Sequence, residues 1–246
     1  DWIIKTNGEW LESWAQWGGI ASSSLIAYYE LDDAGAVLVD TMDNYNGTIN
    51  ATALQPGIIG TSYNFSADAL GVTTGNITEI AGSNNKSIFA WINITDYGNW
   101  GGIFGMGGST GDTSFNLFTT NLGNLTYIGG GGDTLYAQFK PTLNTWSLVG
   151  LTHDGTNTVI HLINATGEYS ESAVRTSNVT NTSFYIGRPS YSAEYFAGRI
   201  DEVGIWNKSL SASEITNLYN GGSGSRPFAQ GTITLNSPSD EYISPT

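Results

Sequence analysis

The sequence predicts an all-β protein built from two packed antiparallel sheets. Glycine is 32 of 246 residues and proline only 6. Turn signals recur about every 8–12 residues between short β-branched or aromatic runs, the spacing of a sandwich or barrel. The segment 87–94 carries Ile88, Ala90, Ile92 and Ile94 on one face, and Phe89 and Trp91 on the other. A strand apolar on both faces belongs mid-sheet, covered on both sides. No helical segment separates the successive strands, so a parallel α/β sheet is excluded.

Strands are expected over 25–31, 36–40, 62–66, 87–94, 102–106, 114–119, 125–128, 135–139, 146–153, 158–163, 183–186 and 196–206. One short C-terminal helix is well signalled. Ser211 and Glu214 form a capping box, Ile215, Leu218 and Tyr219 supply an apolar stripe, and Asn220-Gly221 ends it. Trp10, Trp14 and Trp17 stand at i, i+4 and i+7 and predict a second short helix, stopped by Gly18-Gly19. That stripe serves either as an apolar face docked on a domain or as a stacking platform for sugar rings. The chain thus divides into a Trp-rich segment 1–24, a main domain 25–222, a Gly/Ser linker 223–230 and a final stretch 231–246. In the last, Thr232-Ile233-Thr234-Leu235 alternates like the first strand of a following Ig-like domain.

Composition narrows the function. Asp plus Glu number 22 against 8 Lys plus Arg, a net charge of −14. Binding nucleic acid requires a basic surface that displaces phosphate counterions, so that class is all but excluded, and an anionic membrane surface is disfavoured. No apolar run reaches the length that spans a bilayer, so no membrane insertion is expected. With no cysteine, disulfides, thiolate catalysis and Cys-type zinc sites are absent. Asn-X-Ser/Thr occurs at 11 of the 22 asparagines, more than twice the chance expectation. Asn46, Asn50, Asn64, Asn76, Asn85, Asn124, Asn178, Asn181 and Asn207 are the candidate glycosylation sites. Asn93 and Asn164 fall in or beside strands and are not expected to be occupied. Either an Asn- and Thr-rich strand protein generates such sequons freely or the surface is N-glycosylated; an extracellular or cell-surface location is expected.

The segment Phe196-Ala197-Gly198-Arg199-Ile200-Asp201-Glu202-Val203-Gly204-Ile205-Trp206, followed by Leu210-Ser211-Ala212-Ser213-Glu214-Ile215 and Leu218-Tyr219, resembles the terminal signature of laminin-G-like, concanavalin A-like lectin domains. Tyr28-Tyr29-Glu30-Leu31-Asp32-Asp33 is similar to the family's first strand. The run from Val39-Asp40 to Asn46-Gly47-Thr48 resembles its Asp…Asn-Gly turn, and Tyr185-Ile186-Gly187 the segment before its final hairpin. The resemblance covers 25–222 and implies a jelly-roll sandwich.

Candidate chemistry is sparse. Glycosidases of this fold carry Glu-X-Asp-X-X-Glu on one strand. Here Glu30 and Asp32 fill two positions with no acid at the third, and the adjacent Asp201 and Glu202 point to opposite faces. His161 alternates with Val159 and Ile163 and is expected to be a hydrogen-bonded sheet residue. The turn around Asp40, Asp43 and Asn46 concentrates hard oxygen ligands. Asp201 alternates with Val203 and Ile205, so it should face the core, where it must pair with Arg199, accept backbone hydrogen bonds or bind a cation. The family resemblance implies a structural Ca2+ held by that turn and strand, with Asp40, Asp43, Asn46 and Asp201 as ligands. For carbohydrate, the candidates are loop aromatics, Tyr97 and Trp100 after 87–94, and Tyr191 and Tyr195 before the final hairpin. Trp91 and Trp146 are expected in the core. The expectation is therefore a non-catalytic extracellular recognition or adhesion module, part of a larger surface or secreted protein, that binds a glycan or a surface protein. The alternative is a structural subunit of a filament or coat that self-associates through its terminal segments.

Overall fold

A computed structural model describes residues 3–6, 9–12, 24–49, 53–65, 71–180 and 182–227, the first two segments by their backbone alone. Strands β1 (Ile3–Thr6) and β2 (Glu9–Glu12) pair as a separate antiparallel hairpin. The sandwich begins with β3 (Leu25–Tyr29), β4 (Val37–Leu38), β5 (Gly47–Thr48), β6 (Ala53–Pro56), β7 (Thr61–Phe65) and β8 (Val72–Asn76). It continues with β9 (Lys86–Ile94), β10 (Gly101–Gly107), β11 (Ser114–Thr119), β12 (Leu125–Gly130), β13 (Asp133–Tyr136) and β14 (Ser147–His153). The last strands are β15 (Asn157–Asn164), β16 (Gly167–Val174), β17 (Ser183–Ile186) and β18 (Gly198–Trp206), after which comes the helix α1 (Ala212–Tyr219).

The first sheet has the order β13-β12-β11-β10-β17-β8-β5-β4, and the second β16-β15-β14-β9-β18-β7-β6 with β3 also paired to β18. All strand-to-strand pairings are antiparallel. The core lies between the sheets. Ile88, Ala90, Ile92, Val149 and Leu151 of the second sheet meet Phe104, Met106, Phe115, Leu117 and Phe184 of the first. As the double-faced pattern requires, every residue of β9 is buried. Its other face, Phe89 and Trp91, joins Tyr28, Trp206, Leu210, Ile215 and Leu218 in a second cluster beneath α1. Trp91 stacks on Tyr219 at 5.4 Å, while Trp146 is only half-buried.

The capping box forms as expected. Ser211 caps α1 by accepting from the Glu214 amide, the Glu214 carboxylate accepts from the Ser211 amide, and Asn220 closes the helix in the left-handed conformation. His161 shares a hydrogen bond with Thr152 at 3.0 Å, and His153 with Thr158 at 3.1 Å. Burial pulls both imidazoles down to about 4, so they are neutral sheet residues.

Two expectations need correction. Trp10, Leu11 and Glu12 lie in β2, not in a helix; Trp14 and Trp17 lie outside the described residues, as does the 231–246 strand. The Asn7-Gly8 pair between β1 and β2 is a strong hairpin signal that outweighs the Trp spacing. The linker expected over 223–230 is not free at its start. Ser225 donates its amide to the Leu218 carbonyl and its hydroxyl to Asn217 O. Arg226 then anchors the segment by ion pairs to Glu30, Asp32 and Glu202.

Candidate functional site

The outer face of the first sheet, opposite the core, holds an aromatic cluster. Strand β10 has glycine at 101, 102, 105 and 107. Glycine in a strand marks a place where another backbone comes close, and at Gly101, Gly102 and Gly105 the loop 187–197 does so. A Cβ on Gly102 would sit 2.3 Å from Pro189 Cδ, and one on Gly105 only 3.0 Å from Pro189 Cα. Asn116 on β11 secures the loop: its Oδ1 accepts from the Ser190 amide at 3.0 Å and hydroxyl at 3.1 Å, while its Nδ2 donates to Ile128 O at 3.2 Å. Gly102 N donates to Glu194 O at 2.8 Å. These contacts set Glu194 and Tyr195 beside Asn99 and Trp100, and together with Ala193 they line a cleft of about 350 Å³. Trp100 meets Phe118 at 6.2 Å and Tyr136 at 6.4 Å, both T-shaped, and Tyr136 is 53% exposed.

Of the four aromatic candidates, the structure brings Trp100 and Tyr195 together. Tyr191 stands in the same loop without lining the cleft; burial and the Glu194 carboxylate push its hydroxyl up to about 12. Tyr97 is apart: its hydroxyl donates to Pro141 O and Lys140 Nζ lies 4.8 Å over its ring. Sequence reasoning misses Asn99, Asn116, Tyr136 and Glu194. The signal that could have found them is the row of outward glycines on β10.

The four expected calcium ligands are each engaged otherwise. Asp40 is 1% exposed. Its Oδ1 accepts from the amides of Tyr28 at 2.8 Å and Met42 at 3.0 Å, and its Oδ2 from those of Asn44 at 3.1 Å and Tyr45 at 2.9 Å. Asn46 Oδ1 accepts from the Asp40 amide at 2.8 Å, and Asn46 Nδ2 reaches Asp43 at 3.4 Å. Asp201 accepts from the amides of Ile58 at 2.7 Å, Ile59 at 3.2 Å and Glu202 at 3.0 Å. Among the described residues no three His, Cys, Asp or Glu side chains converge in a metal-holding group. The oxygens of Asp40, Asn46 and Asp201 are already turned toward backbone amides and Asp43 is exposed, so this set as folded does not fit a calcium cage.

Asp201 also faces the other way from expectation. Ile200 pairs with Ile92 of the core, and Asp201 with Trp91 of the outer cluster, and the register then shifts before Gly204 meets Phe89. Glu202 sits in that bulge with φ +50. The extra residue restores Val203 and Ile205 to the core and leaves Asp201 outside the sheet, under the Ile58–Ile59 loop. Of the three ways open to it, Asp201 takes the backbone hydrogen bonds. Arg199 instead donates to Pro56 O at 2.8 Å and lies 5.1 Å over the Trp146 ring. Burial, with the Glu202 charge, pushes the Asp201 carboxyl up to about 8.

Glu202 belongs to a second acidic knot. Arg226 joins Glu202 at 2.7 Å, Glu30 at 2.7 Å and Asp32 at 3.0 Å, and Tyr28 OH donates to Glu202 Oε2 at 2.5 Å. The carboxylates that resembled part of a hydrolase motif are thus tied to one guanidinium.

Of the candidate sequons, Asn46, Asn76, Asn85, Asn178 and Asn207 are exposed, and Asn64 and Asn124 half-buried. Asn124 also donates its Nδ2 to Ala137 O at 2.9 Å. Asn93 and Asn164 are buried. Asn50 and Asn181 lie outside the described residues.

A family model described as the concanavalin A-like lectin/glucanases superfamily matches residues 66–216. No curated protein sequence matches the chain. Several solved structures share its fold. Domain 4 of AbnA, a GH43 extracellular arabinanase from Geobacillus stearothermophilus, in complex with arabinotriose, is 18% identical with a TM-score of 0.63, over 79% of this chain and 97% of that one. Trypanosoma rangeli sialidase, with 2,3-difluorosialic acid, is 16% identical with a TM-score of 0.63, over 84% of this chain and 35% of that one. The binding domain of Paraclostridial Mosquitocidal Protein 1 is 12% identical with a TM-score of 0.62, over 81% of this chain and 52% of that one. The chain therefore spans about a third of the sialidase and half of the mosquitocidal binding domain.

Proposed function

The chain belongs to the concanavalin A-like lectin/glucanases superfamily, and from that premise we propose that it is a non-catalytic, extracellular carbohydrate-recognition module that binds glycan at the Trp100 cleft. One observation carries the reading. The loop 187–197 is folded over glycines of β10 so that Tyr195 and Glu194 meet Trp100 and Asn99 on the sheet face that α1 leaves uncovered. An indole and a phenol offer apolar faces to sugar C–H groups, while Asn99 and Glu194 offer hydrogen bonds to hydroxyls. Two neighbours in fold support it, a domain complexed with arabinotriose and the binding domain of a mosquitocidal protein. The exposed sequons support the extracellular setting.

The test is a glycan array that includes arabinotriose, followed by calorimetry on the ligands retained, with Trp100→Ala and Tyr195→Ala alongside. Either substitution should weaken binding at least tenfold, about 1.4 kcal/mol, with little change in melting temperature. Retention of no glycan, or unchanged affinity in both variants, would refute the assignment.

A further inference from the structure

The second sheet carries a different cleft on its outer face, beside the C-terminal end of α1. On β9 the outward positions run Phe89, Trp91, Asn93. The first two are roofed by α1, while Asn93 lies beyond it. Asn93 and Arg199 are directly paired across β9 and β18, so their side chains stand side by side. Together with Asn144, Thr145, Trp146 and Tyr219 they line a cleft of about 570 Å³, walled on one side by the glycines that follow the helix.

Two features point to a ligand. Asn93 is 3% exposed, yet its Oδ1 has no hydrogen-bond partner. A buried acceptor left unpaired is destabilising, and a polar side chain at this position is unexplained by packing. Arg199 is the only charged side chain among the described residues lining the cleft. Its guanidinium is held in orientation by the Trp146 ring at 5.1 Å, and Nη1 donates to Pro56 O at 2.8 Å. One of five N–H donors is thereby used, leaving a preoriented edge suited to a carboxylate.

We propose that this cleft binds a sugar carrying a carboxylate, with the acid on Arg199 and a ring hydroxyl donating to Asn93 Oδ1. A neutral sugar would satisfy Asn93 and leave the guanidinium edge unused, while a simple carboxylate would satisfy Arg199 alone. In a chain of net charge −14, a cleft whose described lining has a cation and no acid singles out an anionic ligand. The site is separate from the Trp100 cleft, so either assignment can fail without the other.

The experiment titrates the full chain with sodium glucuronate and, in parallel, with glucose, following the tryptophan indole N–H signals by NMR. Glucuronate should shift the Trp146 indole and bind at least tenfold more tightly than glucose. Salt should weaken it. Arg199→Gln should abolish the preference for the acid. Asn93→Leu should abolish binding and also raise the melting temperature by roughly 2–4 °C, because it removes an unpaired buried acceptor. Equal affinities for the two sugars, shifts confined to Trp100, or no response to millimolar glucuronate would overturn the proposal. So would an Asn93→Leu protein that melts lower and still binds.

Discussion

Removing Arg226 tests how the end of the helix segment is fastened to the sandwich. Its guanidinium is 14% exposed and bonds to Glu202, which is 2% exposed, to Glu30 at 18% and to Asp32 at 35%. The two outer pairs are solvent-screened and contribute about 0–1 kcal/mol each. The Glu202 pair is buried, and breaking such a pair from one side costs about 3–5 kcal/mol because a charge is stranded. Protonation limits that cost. Burial pushes Glu202 up to about 7 even though Arg226 and the Tyr28 hydroxyl pull it down. Without Arg226 it rises further. A carboxyl raised in the folded state stabilises fully below its unfolded value and loses that contribution as pH climbs through the folded one. At pH 5, Glu202 is largely neutral with or without Arg226, so Arg226→Met should cost only about 1–2 kcal/mol, the outer pairs and the hydrogen bonds. At pH 9 the full cost of about 3–5 kcal/mol should appear. Urea unfolding followed by tryptophan fluorescence at the two pH values measures both. Arg226→Met with Glu202→Gln should recover most of the loss at pH 9. Equal costs at pH 5 and pH 9, or no rescue, would refute the reasoning.

Gly102→Val would place a Cβ 2.3 Å from Pro189 Cδ and 2.4 Å from Pro189 N. It should cost about 1–3 kcal/mol and abolish glycan binding at the Trp100 cleft by lifting the loop, whereas Gly111→Ala, with nothing within 4 Å, should leave both unchanged; thermal melts and the glycan assay check it. Adding calcium or a chelator should leave the melting temperature unmoved, since Asp40 and Asp201 are satisfied by amides; a rise of several degrees with calcium would contradict that geometry.

The parts of the fold legible in the sequence are those where burial imposes a period. Strand β9 is readable because both of its faces are apolar, and α1 because its cap chemistry is local. Strand β16 is not. Gly167–Val174 lies at a sheet edge with mostly exposed side chains, so no alternation marks it. Asp201 shows a subtler limit: strict alternation places it in the core, and one bulged residue with positive φ turns it outward. At the site, single aromatic residues such as Trp100 and Tyr195 are visible as loop residues. What brings them together is long-range: the glycines of β10 and the Asn116 amide receive a loop 74 residues away, at Ser190. Arg226 is hidden for the opposite reason, since its Gly/Ser surroundings have the composition of a linker while its partners lie at 30, 32 and 202.

Fold alone does not separate binding from hydrolysis, because this sandwich occurs both in a domain complexed with arabinotriose and within a sialidase. The placement of the carboxylates favours binding. A retaining or inverting hydrolase needs two acids facing one bond, with at least one able to give and take a proton there. Glu30, Asp32 and Glu202 converge on Arg226, and Asp201 faces backbone amides. Among the described residues lining the Trp100 cleft, Glu194 is the one acid. A lone carboxylate beside an aromatic ring can orient a sugar hydroxyl but cannot act as acid and base across a glycosidic bond. At the Trp100 cleft that single acid beside two aromatic rings is why the recognition reading is favoured there over catalysis.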